Sequence, residues 1–182
     1  MEKLRKALDK LLSVLAGGSM AVMVILTTYQ VITRYIFKAP STWSEELVGY
    51  LFGWSTMFGA TIVSGERGHM RIPIIIDRFS PTLRKAFHIF GEVIAFLFSA
   101  TILVFGGYQV SNLAMGQQTS SLGMAVGVFY WVMPICGVVI LLYSVMNIIG
   151  IANGSINLDA SDEATEAIAK VEAEKKASKK EG

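Results

Sequence analysis

Apolar residues run in long blocks along this chain, and polar residues are confined to short windows between them. Leu4, Leu8, Leu11, Leu12 and Leu15 recur at helical spacing, with Lys3, Lys6 and Lys10 between them. This pattern predicts an amphipathic segment over residues 1–11 that lies at a membrane surface before turning into an apolar span. That span is predicted over 12–33, about 30 Å at a rise of about 1.5 Å per residue, enough to cross a hydrocarbon core. A second, shorter span is predicted over 47–64, bounded by Trp43, Glu45 and Glu46 before it and by Glu66 and Arg67 after it. The third helix is expected from Pro81 to Val110, with its crossing part at 86–110; at about 45 Å it must tilt or protrude. The fourth span is expected over 123–151, with a kink at Pro134. The expected fold is therefore an all-α integral membrane protein with four transmembrane helices plus amphipathic surface helices. Residues 12–151 form its membrane domain and 152–182 a charged tail.

Finer features lie inside this frame. Gly49 and Gly53, and Ser55 with Gly59, are small residues four apart, which lets helices approach closely in lipid. Between the second and third spans, Gly65, Gly68, Pro73 and Pro81 punctuate the chain. Ile72 and Ile74–Ile76 are too few to span, so a short surface helix with Pro73 in its first turn is expected there. Ser80 as N-cap and Pro81 at the first helical position then start the third helix. The tail is rich in Ala, Glu and Lys and need not pack.

Composition agrees with the membrane reading: 53% of the 182 residues are hydrophobic. An open sheet would leave backbone groups unpaired in lipid, so the core must be helix against helix. The net charge of +2 conceals an asymmetry. Eleven Lys/Arg against seven Asp/Glu fall in residues 1–156, and five against seven in the remainder. The basic groups flank apolar runs rather than forming a face with interleaved aromatics, which argues against nucleic-acid binding. The single cysteine, Cys136, leaves no intrachain disulfide. The first apolar run is too long for a signal peptide and lacks a small-x-small cleavage site, so it reads as an uncleaved helix. Four Lys/Arg precede the first span, five lie within 64–86, two within 34–46 and none within 111–123. Both termini and the middle loop are therefore expected in the cytoplasm.

No catalytic or cofactor constellation can be assembled. There are two histidines, His69 in the middle loop and His88 near the start of the third span, and neither is placed within the bundle as a haem ligand would be. Glu92 is the one acid clearly inside a span. It is either a carboxylate near the interface, paired with Arg or Lys of a neighbouring helix and within reach of Arg84, Lys85 and His88, or an exchanging carboxylate. Arg34, Glu45 and Glu46, with Trp43, form a second polar cluster at the outer ends of the first two spans, as an interfacial ion pair fixing the hairpin or as a docking patch. Thr27, Thr28, Gln30 and Gln109 are expected to hydrogen-bond between helices.

Arg34-Tyr35-Ile36-Phe37, Pro40, Trp43-Ser44-Glu45-Glu46, Trp54, Phe58-Gly59-Ala60 and Glu66-Arg67-Gly68-His69-Met70 stand in an order and spacing that resemble the small membrane subunit (DctQ type) of tripartite ATP-independent periplasmic (TRAP) transporters. The layout matches over residues 1–151. One departure is Gly49 before Tyr50, where members of the family often carry Arg. The resemblance implies a static scaffold for a large, elevator-type membrane subunit, sodium coupling, and part of the docking surface for a periplasmic substrate-binding protein. It implies carboxylate substrates, including C4-dicarboxylates and sialic acids, and a bacterial inner-membrane location, with no cofactor. The alternatives are a self-sufficient proton-coupled exporter dimerising around Glu92, and an anchor subunit for a redox enzyme.

Overall fold

The computed structural model describes residues 2–66 and 81–153. The surface helix expected around Ile72–Phe79, the motif residue His69 and the charged tail lie outside these residues. The first span, α1 (Glu2–Tyr35), is a single unbroken helix. No turn separates the amphipathic start from the apolar stretch. The early leucines explain why, since Leu12 is buried in the core and Leu8 packs against it. The start of the helix is therefore part of the bundle.

Helix α1 ends before Pro40, which bars the helical conformation from Ala39. Lys38 takes a left-handed conformation (φ 53°) and the Ala39 amide donates back to the Thr33 carbonyl at 3.0 Å. The second span, α2 (Thr42–Gly65), starts five residues before the expected position. Trp43, Glu45 and Glu46 bounded the apolar run in the sequence, yet they are helical. Ser41 sits extended at the N-cap, and Ser44 Oγ donates to the Ser41 carbonyl at 3.0 Å. Acids in the opening turns also suit the positive end of a helix.

The third span is α3 (Pro81–Phe98), a π-helical stretch (Ser99–Gly106) and α4 (Gly107–Ala114). It continues four residues beyond Val110. The fourth is α5 (Val126–Tyr130) followed by α6 (Val132–Ala152). Its break at Trp131 has a covalent cause. Pro134 lacks the N–H that the Tyr130 carbonyl would accept, and its ring crowds that carbonyl. All four spans are long and apolar enough to cross a membrane.

The spans pack as a row rather than a closed ring: the first on the second, the second on the fourth, and the fourth on the third. The fourth is the hub, with 44% of its most apolar stretch buried against 6% for the third. Close approach occurs at glycines the sequence reading did not single out. A Cβ on Gly127 would lie 2.3 Å from the Ser111 carbonyl oxygen, and one on Gly137 2.8 Å from Leu103 Cβ. Gly49, Gly53 and Gly59 have no such neighbour. The expected close approach along α2 is therefore not made within this chain, since Gly49 and Gly53 are exposed.

Candidate functional site

Polar side chains gather at two ends of this row. At the hairpin end, Arg34 leaves α1 in its last turn and Glu45 enters α2 in its first. The short connection brings them together: Arg34 Nη2 donates to Glu45 Oε1 at 2.5 Å, with both side chains about half exposed. Trp43 leans on Tyr29 with ring centroids 6.0 Å apart, adding an aromatic contact between the same two helices. Glu46, one residue on, points elsewhere. Its two carboxylate oxygens accept the backbone amides of Ser120 (3.0 Å) and Ser121 (2.8 Å). These amides belong to the loop between the third and fourth spans. The loop is shaped by Gly123 at φ 65° and by the Thr119 amide donating to the Met124 carbonyl at 2.8 Å. The predicted cluster thus divides into an ion pair for one loop and an anion clamp for the other.

At the opposite end the network is longer. Arg5 Nη1 donates to Asn147 Oδ1 at 3.2 Å, and Asn147 Nδ2 donates to Glu92 Oε1 at 3.1 Å. The second Arg5 nitrogen donates to the Gly65 carbonyl, an acceptor that the end of α2 leaves without an intrahelical partner. The Tyr143 hydroxyl donates to Asp9 at 2.5 Å. Gly65 lies flat on the Tyr143 ring, where a Cβ would come within 3.1 Å. Lys85 Nζ donates to the Ala152 carbonyl at 2.8 Å, closing the last turn of α6. Residues of all four spans are joined here. Asn147 and Tyr143 are fully buried.

The structure gives Glu92 the Asn147 amide as a donor, with Arg5 of the first span one step further along, where the sequence reading looked for an Arg or Lys of a neighbouring helix. Arg5, Asp9, Asn147 and Tyr143 were not singled out from the sequence, and Gly65 was read only as a break in the chain. Two signals were present: Arg5 and Asp9 stand four apart on one helix face, and Asn147 interrupts an apolar run. Thr28 bonds the Val24 carbonyl of its own helix at 2.8 Å rather than a neighbouring span. Among the described residues, Gln30 Nε2 is a buried side-chain nitrogen without a partner.

Two aromatic contacts stiffen the hairpin half of the row. Tyr50 stacks on Phe129 at 4.0 Å, and Trp54 Nε1 donates to the Phe129 carbonyl at 2.8 Å. Among the described residues no group of three or more His, Cys, Asp or Glu side chains is placed to hold a metal ion.

A cavity of about 570 Å³ opens between the second and third spans, floored by the fourth. Met57, Ile94, Phe98, Leu103 and Ile140 give it apolar walls, and Ser64, Glu92 and Ser144 line it as well.

The family model for the DctQ component of tripartite ATP-independent periplasmic transporters matches residues 23–154. The chain is similar to a putative TRAP transporter small permease protein of Haemophilus influenzae, 27% identical over 128 residues, covering 70% of this chain and 77% of the relative. It is similar to the sialic acid TRAP transporter small permease protein SiaQ of Vibrio cholerae, 26% identical over 138 residues, covering 76% and 79%. A 95-residue stretch, 49% of this chain, is 27% identical to 15% of the isethionate TRAP transporter permease protein DctMQ of Oleidesulfovibrio alaskensis.

Proposed function

The chain belongs to the DctQ family of TRAP transporter small permease subunits, and from that premise we propose that it is the static scaffold of a sodium-coupled importer of an organic acid. Its partners in this reading are a large, elevator-type membrane subunit and a periplasmic substrate-binding protein. Similarity to part of a much longer permease supports the first partner, since a stretch of this kind is there joined to further permease sequence. The relatives' names point to acidic cargo, sialic acid in one and isethionate in another. Lys/Arg counts support an inner-membrane orientation with both termini and the Arg5 end in the cytoplasm and the Arg34 hairpin in the periplasm.

One observation carries the scaffold reading. Polar side chains at both ends of the row are held by hydrogen bonds, Arg5–Asn147–Glu92 at one end and Glu46 with its loop amides at the other. A subunit with its own transport path would aim such groups at a cavity crossing the bilayer and would move around them. Here they tie helices together, which is what a fixed frame requires. The exporter alternative makes Glu92 the exchanging group. Its carboxylate instead receives the Asn147 amide.

The test is uptake in proteoliposomes by the three-component system, with sodium titrated. Glu92→Gln keeps shape and removes charge; it should lower yield or stability and leave the sodium dependence unchanged. Loss of ion coupling in an assembled Glu92→Gln complex would sink the scaffold reading in favour of the carrier. Reversing charge at Glu45 and Glu46 together should reduce uptake even where the membrane subunits still assemble, by breaking the hairpin and the docking face.

A further inference from the structure

Helix α1 carries three different faces over its opening turns. Arg5, Leu8, Asp9 and Leu12 turn to the bundle: Arg5 donates to Asn147 and to the Gly65 carbonyl, Asp9 accepts from Tyr143, and Leu12 is in the core with Leu8 packed against it. Lys3, Lys6 and Lys10 recur at spacings of three and four, so they share a second face, and all three are exposed. Leu4, Leu11 and Leu15 share a third face and are exposed as well. Among the described residues no side chain or carbonyl bonds Lys3, Lys6 or Lys10. The acids in this stretch of sequence are Glu2 and Asp9, and Asp9 is taken by Tyr143. The lysine face therefore carries an excess of positive charge.

The depth of this face follows from α2. From Glu45 to Gly65 that helix covers about 30 Å, the thickness of a hydrocarbon core, so Gly65 marks the core edge at this end. Arg5 touches that edge through the Gly65 carbonyl, and Lys3 and Lys6 flank Arg5 in the chain. The lysines thus stand at headgroup depth, while Leu11 and Leu15 beside them run on into the core. A docked protein segment would have to bring acids for three lysines and an apolar strip for the leucines. A phospholipid answers both faces at once, with its phosphate at the lysines and an acyl chain along the leucines. Charge selects the headgroup: a zwitterionic one sets its own cation among the lysines, and an anionic one does not. We propose that the Lys3, Lys6 and Lys10 face of α1, with the leucines beside it, is a seat for an anionic phospholipid, of the phosphatidylglycerol type, from the leaflet at the Arg5 end. The bound lipid holds the height and tilt of a 34-residue helix that is longer than the core it crosses. A topology signal needs positive charge anywhere at this end, whereas the seat needs it on this face. The seat requires only the four spans, and the orientation proposed above serves only to name the leaflet as the inner one.

The full chain, purified and stripped of lipid, is titrated with dioleoyl phosphatidylglycerol or dioleoyl phosphatidylcholine and read by native mass spectrometry. The two lipids share acyl chains and differ in headgroup charge. The glycerol lipid should be held about fivefold more tightly, the effect of one lysine at a membrane surface. Lys3→Gln, Lys6→Gln and Lys10→Gln together should erase the preference and leave the thermal midpoint unchanged, because all three side chains are exposed. Each change alone should lower the preference in part. Lys85→Gln removes a cation at the same end that is already bonded to the Ala152 carbonyl, and it should leave the preference intact. Free glycerol phosphate should not displace the lipid, since it has no chain for the leucines. Equal binding of the two lipids by the parent, a preference that survives the triple change or falls as far with Lys85→Gln, or displacement by glycerol phosphate overturns the proposal. So does a protein on the same face. Truncation after Gly154 that raises the preference would put the acidic tail on the lysines, and Lys6→Cys cross-linking to another polypeptide in native membranes would put a partner there.

Discussion

The two polar ends of this bundle are built on opposite principles. At the hairpin end, Arg34 and Glu45 are eleven residues apart, about half exposed, and paired across a turn. At the other end, Arg5 and Asn147 are 142 residues apart, and Glu92 and Asn147 are 55 apart. Asn147 there has no exposed surface. The first arrangement shapes a local connection. The second decides which spans are neighbours, because a single buried amide is shared by side chains from the first and third. An exposed pair in water or headgroups contributes under about 1 kcal/mol. A buried polar group loses more when its partner goes, because nothing replaces the bond. The ends should therefore respond very differently to equivalent deletions.

The largest effect is expected at Asn147. Asn147→Leu keeps the volume close and removes both the acceptor used by Arg5 and the donor used by Glu92. Two charged groups then lose their bridge in a low-dielectric setting. Polar bonds in lipid are individually modest, averaging about 0.6 kcal/mol, because the separated helices also find partners. Two bonds to charged groups lost together should cost about 2 kcal/mol. Thermal unfolding in detergent should show the largest drop of any single polar substitution in the chain. An unchanged midpoint would mean that the inner network is not what joins the spans.

This contrast also explains what could be read from the sequence. The spans were legible because apolar runs of this length have few other uses. Their ends were less so, since Trp43, Glu45 and Glu46 read as a boundary while the capping position at Ser41 puts them inside α2. Arg34, Glu45 and Glu46 were grouped from sequence because a short connection constrains them, although Glu46 turns to the other loop. Asn147 could not be assigned to Glu92 or Arg5, because helix periodicity fixes a face and not the neighbour it meets. The small-residue pair on α2 misled for the same reason. Gly49 and Gly53 permit close packing, and the contact is made instead by Gly127 and Gly137 on the fourth span.

An intermediate effect is expected at Glu46, which is local in geometry but distant in sequence from the loop it holds. Its two bonds to the amides of Ser120 and Ser121 are charge-assisted and so stronger than neutral ones. Glu46→Gln retains one acceptor oxygen and loses the charge, a cost of about 1 kcal/mol. The sharper readout is the loop itself. A cysteine at Ser120 should label faster from the hairpin side in Glu46→Gln than in the parent. Equal rates would show that the loop is held by its own Thr119–Met124 bonds alone.

The smallest effect is expected at Arg34 and Glu45, and it defines the exposed limit of the comparison. The pair is short at 2.5 Å, and distance alone reads as a strong contribution. Exposure argues otherwise. With 55% and 46% of the two side chains accessible, solvent and headgroups compete for both charges. Each long side chain also gives up rotamer freedom to hold the contact. A double-mutant cycle with Arg34→Met and Glu45→Gln should return a coupling of about 0.5 kcal/mol, and less at high salt. The hairpin should survive both changes, because the Pro40 and Ser41 start of α2 and the Tyr29–Trp43 contact remain. A coupling as large as the loss at Asn147 would erase the distinction between the two ends. It would place the Arg34–Glu45 pair in a far less polar setting than its exposure shows, and the hairpin would then rank with the Asn147 network as a determinant of the fold.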